Sequence, residues 1–160
     1  MTELRVGLGY DLHPYVAERP LVLGGVHVEY GRGLAGHSDG DALCHAVVDA
    51  LLGAVGQGDI GEWFSTDDEA YRGAYSLGLL GQVVERLRGD GWRVVNVDTV
   101  LVAQEPRLAT YRDAMRASLA GALGVGADRV NVKATAPERV GSLGRADALA
   151  ALATALVERE

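Results

Sequence analysis

The sequence has 160 residues, a formal net charge of −7, 48% hydrophobic and 23% charged residues, a composition that suits one folded core and excludes a disordered chain. Its acidic balance excludes a general nucleic-acid or anionic-membrane binder, because both need a basic field. Cys44 is the one cysteine, which excludes an internal disulfide framework and any CxxC zinc site; with no signal-like leader and no apolar run of roughly 18 residues, the expectation is a cytoplasmic protein with a single domain over residues 1 to 160.

In chain order, Leu4 to Gly9 is predicted as the first strand, and Asp11 and His13 continue it two residues apart, which places both side chains on one side of an extended segment. Pro14 is expected to stop regular pairing. Leu21 to Val28 reads as a hairpin around Gly24-Gly25, with His27 a surface residue, and Gly31 to Gly36 as a glycine-rich loop without a nucleotide fingerprint. Ser38, three residues before Asp41, is predicted to cap a helix from about Asp39 to Val55 that ends near Gly56 and Gly58. A helix mouth would then face His37 and Ser38, and its free N–H groups would favour a phosphate or carboxylate there. In that helix His45 shares a face with Asp41 and Asp49, beside the apolar stripe Leu43, Ala46, Val47, Ala50 and Leu51.

Asp59-Ile60-Gly61 leads into a polar stretch, Glu62 to Gly73, in which Trp63, Phe64 and Tyr71 are embedded, a composition expected of a surface lid. Ser76 is read as the cap of a second helix running to about Arg88, and Arg93 to Val102 as a strand ended by Pro106. Thr110 to Leu123 is predicted as a helix and Asp128 to Thr135 as a strand. The loop Ala136 to Arg145 then leads into an alanine-rich end that is predicted as a last helix through about Val157. The expected fold class is α+β: a two-layer sandwich, a mixed β-sheet with helices packed on one face.

Asp11, His13 and His45 offer one carboxylate and two imidazoles, a set suited to zinc or another first-row divalent metal with a coordination position left open. Their spacing by itself also fits separate structural roles. A purely structural zinc domain is the weakest reading, since such sites normally have four protein ligands, mostly cysteine. A non-catalytic metal-dependent carrier of a phosphorylated metabolite would need the same three residues.

Gly7 to His13, Leu23 to Val26, Gly36 to Ala46, Asp49 to Ala54, Gly58 to Gly61, Asn96 to Asp98, Ala103 to Arg107, Asn131 to Thr135 and Gly144-Arg145 together resemble the 2-C-methyl-D-erythritol 2,4-cyclodiphosphate synthase family, in order and over nearly the whole chain. The resemblance implies a homotrimeric phosphorus-oxygen lyase of the non-mevalonate isoprenoid pathway with active sites between subunits. Its substrate would be 4-diphosphocytidyl-2-C-methyl-D-erythritol 2-phosphate and its products a cyclic diphosphate and CMP. Carried over by position, Asp11, His13 and His45 would hold Zn2+, and a second divalent cation, Mg2+ or Mn2+, would bridge the diphosphate with Glu138. His37, Thr135 and Glu138 would be catalytic. Substrate contacts would come from Asp11, His13, His37, Ser38, Asp59, Gly61, Phe64, the segment Ala103, Gln104, Glu105, Pro106 and Arg107, and from Thr135, Glu138 and Arg145. Ala136-Pro137 and Ser142 stand where the family usually has threonines and an aromatic. The attacking group in such a reaction is a phosphate already ionised near neutral pH, so positioning and charge neutralisation, rather than a strong base, would carry the chemistry.

Overall fold

Two long antiparallel neighbours, β1 (Glu3–Ala17) and β7 (Ala148–Arg159), form the spine of the computed structural model, which describes residues 1–160. Between them come β2 (Leu21–Leu23), β3 (Val26–Val28), β4 (Arg32–Leu34), α1 (Ala42–Val55), α2 (Ile60–Trp63), α3 (Ser76–Gly89), β5 (Trp92–Val102), α4 (Arg112–Leu123), β6 (Val130–Thr135) and α5 (Gly141–Gly144). The main sheet has the order β4-β1-β7-β5-β6 and is mixed: β5 and β6 run parallel, whereas β1 and β5 each pair antiparallel with β7. The fold is therefore α+β, as the pattern of elements predicts, and β2 and β3 form the expected hairpin around Gly24-Gly25. No helix is long and apolar enough to cross a membrane.

The C-terminal element is the largest correction. Residues 148–159 form the central strand, not a helix. Alanine favours helix locally, but this segment is paired on both edges, Ala151 standing opposite Asp11 on one side and Leu101 on the other, and that pairing overrides propensity. Its alternate positions Leu149, Ala151, Ala153, Ala155 and Val157 are each no more than 1% exposed, a period of two that marks one buried face. The small side chains let α1 lie close across β7 and β1.

The same closeness explains two glycines in β1. A Cβ on Gly7 would stand 1.8 Å from the Ala50 carbonyl oxygen, and one on Gly9 1.8 Å from that of Ala46, so the strand and α1 touch backbone to backbone. Gly9→Ala should cost about 3 kcal/mol or more, the upper end for overpacking. In Gly81→Ala the added Cβ meets nothing within 4 Å on α3, so that variant should gain about 0.5–1 kcal/mol. Denaturant midpoints of the two variants check both signs.

Two local expectations also change. Pro14 does not end the pairing: it lies opposite Ala148, where β1 passes from β7 to the short edge strand β4, and its carbonyl accepts from Ala35 N–H at 2.9 Å. The cap of α1 is Asp41, not Ser38, and the helix begins at Ala42. Asp41 is fully buried; its carboxylate accepts from Cys44 N–H (3.0 Å), Gly24 N–H (2.8 Å) and Gly25 N–H (2.7 Å), which ties the hairpin to the helix start. The carboxylate that accepts at the mouth of α1 is thus the chain's own. At its other end Gly56 caps the helix in the left-handed region (φ 71°), as predicted.

Helices cover one side of the sheet. On β1 the positions that alternate with Gly7 and Gly9 remain bare: Leu4, Val6, Leu8, Tyr10 and Leu12 are between 41% and 70% exposed.

Candidate metal and phosphate site

β1 and α1 bring the three predicted ligands together. Because Asp11 and His13 follow Gly7 and Gly9 at intervals of two, they point to the α1 side of the strand, where His45 projects from the first turns of the helix. His13 Nε2 and His45 Nδ1 lie 2.7 Å and 2.9 Å from Asp11 Oδ2 and 3.3 Å from each other. All three donor atoms fall within 4.8 Å of one another, and one carboxylate oxygen and two imidazole nitrogens converging on one point are a donor set that fits zinc with a position left open.

The electrostatics follow from that convergence. Burial pushes the Asp11 carboxyl up, but hydrogen bonds from His13 and His45, with their charge, outweigh it and hold Asp11 at about 2. For His45, burial opposes protonation, yet the hydrogen bond to Asp11 and the charges of Asp11, Asp41 and Asp39 raise its pKa overall. Cys44, next in the chain, is buried with its thiol pushed well above the ordinary value by desolvation and the nearby Asp41, which makes it a packing residue and not a nucleophile.

A cavity of about 180 Å³ opens over the cluster, walled by His37, Ser38, Gly61 and Thr66 and by the apolar side chains Ile60, Phe64, Tyr71 and Leu79. Residues 62–73, expected as a lid, are not a plain loop. They contain the end of α2 and a single 3-10 turn at Glu69–Tyr71, and Phe64 is 8% exposed and packs edge-on against Tyr71 at 5.2 Å. His37 Nε2 lies 3.2 Å from the Asp68 carbonyl oxygen, which rests this segment against the site. Backbone amide exchange across residues 65–73 should slow at least several-fold when CDP binds; equal exchange with and without CDP would leave the segment a fixed wall.

A second cavity, of about 500 Å³, is lined by Ala103, Gln104, Glu105, Pro106, Arg107, Leu108, Ala109, Ala134, Thr135, Ala136 and Arg139. It shares no lining residue with the first. The parallel pairing of β5 with β6 sets Val102 opposite Thr135, so the loops that leave the two strands form one pocket. The 103–107 loop is braced from outside: Tyr15 Oη donates to the Glu105 carbonyl at 2.6 Å, and Tyr30 Oη donates to the Glu105 carboxylate at 3.0 Å. Burial pushes the Tyr15 hydroxyl well above its ordinary pKa, so it stays a donor.

A family model described as the YgbB family matches residues 4–158. The 2-C-methyl-D-erythritol 2,4-cyclodiphosphate synthase of Thiobacillus denitrificans is 52% identical over 159 residues, which are 99% of this chain and 99% of that protein. This chain belongs to the YgbB family of 2-C-methyl-D-erythritol 2,4-cyclodiphosphate synthases. Among solved structures, the bifunctional IspDF of Campylobacter jejuni is similar with a TM-score of 0.96 and 38% identity; the match covers 100% of this chain and 43% of that one. The CDP complex of IspF from Plasmodium falciparum is similar with a TM-score of 0.86 and 29% identity, covering 98% and 97%.

The residues singled out by resemblance to the synthase family divide between the two cavities. Asp11, His13, His37, Ser38, His45, Gly61 and Phe64 line the first, and Ala103 to Arg107 with Thr135 line the second. Three lie elsewhere. The Asp59 carboxylate caps α2 by accepting from Glu62 N–H at 3.0 Å, Glu138 sits exposed beside the second cavity in a left-handed conformation (φ 54°), and Arg145 pairs with Asp147 at 3.0 Å. Arg139 also lines the second cavity, and its backbone N–H donates to Gln104 Oε1 at 2.9 Å. Tyr15, Asp39 and Ser76 were missed. Their only signals are a β1 position that continues the Asp11, His13 alternation and two polar residues near helix starts, and nothing in the sequence links them to partners 31 to 90 residues away.

Proposed function

We propose that this chain is a metal-dependent 2-C-methyl-D-erythritol 2,4-cyclodiphosphate synthase, a phosphorus-oxygen lyase of the non-mevalonate isoprenoid pathway, acting from one catalytic domain. In the reaction an oxygen of the substrate's 2-phosphate attacks the β-phosphorus of the cytidine diphosphate group; the new P–O bond closes the cyclic diphosphate as the bond to CMP breaks, and CMP leaves with that electron pair. The observation that carries the reading is the convergence of Asp11 Oδ2, His13 Nε2 and His45 Nδ1 at the floor of a cavity in a synthase-family chain.

These three residues would hold Zn2+, which when bound supplies positive charge to polarise a phosphate. Around it, His37 and Ser38 would hold the methylerythritol phosphate end, and the wall of Ile60, Phe64, Tyr71 and Leu79 would keep water from competing with the internal nucleophile. The second cavity suits the cytidine end. The 103–107 loop would hold the base, Arg107 and Arg139 would supply charge for phosphates in an otherwise acidic protein, and Thr135 with Glu138 would serve the diphosphate and a second cation, Mg2+ or Mn2+.

A homotrimer completes the proposal. At about 180 Å³ the metal-side cavity is smaller than the roughly 300–1,000 Å³ of usual ligand pockets, and it shares no wall with the second, as expected of half-sites completed by a neighbour. The bare apolar row Leu4, Val6, Leu8, Tyr10 and Leu12 is the kind of patch that association buries.

The purified protein, given Zn2+, Mg2+ and the cytidyl substrate, should release CMP in step with formation of the cyclic diphosphate, read by 31P NMR. Substrate that binds without turnover would favour a carrier, and CMP released with a linear phosphate product would mean hydrolysis rather than cyclisation.

A further inference from the structure

The side of His45 that faces away from the three-ligand cluster is built with equal care. Its Nε2 lies 2.9 Å from Ser76 Oγ and 3.1 Å from Ser38 Oγ. Ser76 is 1% exposed and opens α3, yet its hydroxyl caps nothing in that helix. It bonds instead to the Asp39 carboxylate, which also accepts from Ser76 N–H (3.0 Å) and Asp41 N–H (3.1 Å).

We infer that Ser76 and Asp39 form a positioning relay that commits His45 to offer Nδ1, and not Nε2, to a metal. The argument is one of proton counting. A serine hydroxyl has one hydrogen to donate, and both Asp39 oxygens already act as acceptors, Oδ1 from Asp41 N–H and Oδ2 from Ser76 N–H. Asp39 therefore accepts the Ser76 hydroxyl hydrogen, and the Ser76 oxygen turns its lone pairs to His45 Nε2. Two acceptors cannot bond without a hydrogen between them, so the hydrogen sits on Nε2 and is donated to Ser76, with Ser38 Oγ a more distant second acceptor. A neutral imidazole carries one N–H. With Nε2 engaged by Ser76, the nitrogen that faces the cluster is Nδ1, 2.9 Å from Asp11 Oδ2 and 3.3 Å from His13 Nε2; a bound metal would take the place of the hydrogen that Nδ1 shares with Asp11 and leave the Nε2 hydrogen bonded to Ser76.

Without the relay, a Ser76 hydroxyl free to rotate could donate to Nε2, and the one hydrogen of the neutral ring would stay on Nδ1, bonded to Asp11. That tautomer closes the ligand position. The relay thus removes a competing state, the role played by outer hydrogen-bond partners of metal-bound histidines generally, whose loss costs 10- to 100-fold in affinity. His45 is 9% exposed, so little water is available to take over from Ser76.

This inference rests on the metal reading, and the test separates the two. Zinc affinity is measured by competition with a chromogenic chelator for the full chain and for Ser76→Ala, Ser76→Thr and Asp39→Asn. Ser76→Ala and Asp39→Asn should each bind zinc about 10- to 100-fold more weakly, while Ser76→Thr, which keeps the hydroxyl, should stay within about threefold of the parent. In the zinc-loaded parent and in Ser76→Thr, the His45 Nε2–H proton should be visible by NMR and protected from exchange with water; in Ser76→Ala, with only the more distant Ser38 Oγ left to accept it, it should shift upfield and exchange measurably faster. Asp39→Asn preserves side-chain size, so it keeps the test open if Ser76→Ala fails to fold. Tight zinc binding by the parent with unchanged affinity in folded Asp39→Asn, or an Nε2–H equally protected in Ser76→Ala, would overturn the relay alone. A parent chain that takes up no zinc would overturn the metal reading and the relay with it.

Discussion

Removing the divalent metal, or either histidine that would hold it, should lower CMP release by at least about 10²- to 10³-fold, the scale on which losing one preorganised charge-stabilising group acts. The size follows from the charge of the pocket. The chain carries a net charge of −7, and the one carboxylate at the cavity floor, Asp11, is held at about 2 by its two histidines, so it is anionic at any working pH. A diphosphate placed beside it would be repelled. A divalent cation on Asp11, His13 and His45 reverses that sign and turns the same three residues into a phosphate site. His13→Ala and His45→Ala should therefore lose both zinc, read by elemental analysis against about one ion per parent chain, and turnover. Adding zinc to chelator-treated parent protein should restore activity, and adding it to the variants at the same concentration should not. Variants that retain zinc and turn over at the parent rate would place the metal elsewhere.

The parts of this site that the sequence made legible are those in which local pattern and final structure obey one rule. Alternation along an extended segment is enough to set Asp11 and His13 on one side of β1, and glycine after an apolar run is enough to end α1 at Gly56. What escaped depends on partners distant in the chain. The 148–159 segment looks helical because alanine is the best helix former, and only its place between β1 and β5, with α1 across it, explains why alanines are used in a strand. Ser38 and Asp41 both fit a capping role on paper. The choice falls to Asp41 because its second oxygen is taken by Gly25 N–H of the β2–β3 turn, a contact 16 residues away. Ser76 was misplaced for the same reason: a serine before an amphipathic run reads as a cap, but here an aspartate and a histidine from another part of the chain compete for it and win. Resemblance to a family filled part of this gap, since the Ala103 to Arg107 and Thr135 segments carry no spacing that would reveal their shared cavity.

The architecture itself is tested by mixing chains. If each active site joins the metal-side cavity of one subunit to the 103–139 cavity of the next, a chain with His45→Ala and a chain with Ala103→Trp should each be nearly inactive alone. Ala103 is a buried residue that lines the second cavity, which shares no lining residue with the first, so an indole there would obstruct that pocket and not the Asp11, His13 and His45 cluster. In a closed ring each interface uses one half from each of two neighbours. Co-refolded at equal amounts, a metal-intact chain meets a pocket-intact neighbour in the required order at about one quarter of interfaces by random assortment, so the mixture should regain about a quarter of the parent activity. The gain separates the two architectures sharply, because a site contained within one chain would be defective in every subunit of the mixture. Mixed trimers verified by native mass spectrometry that stay at the level of the separate variants would assign both cavities to a site in one chain. The 180 Å³ size of the first cavity would then have to be explained by movement of residues 62–73 and not by a neighbouring subunit.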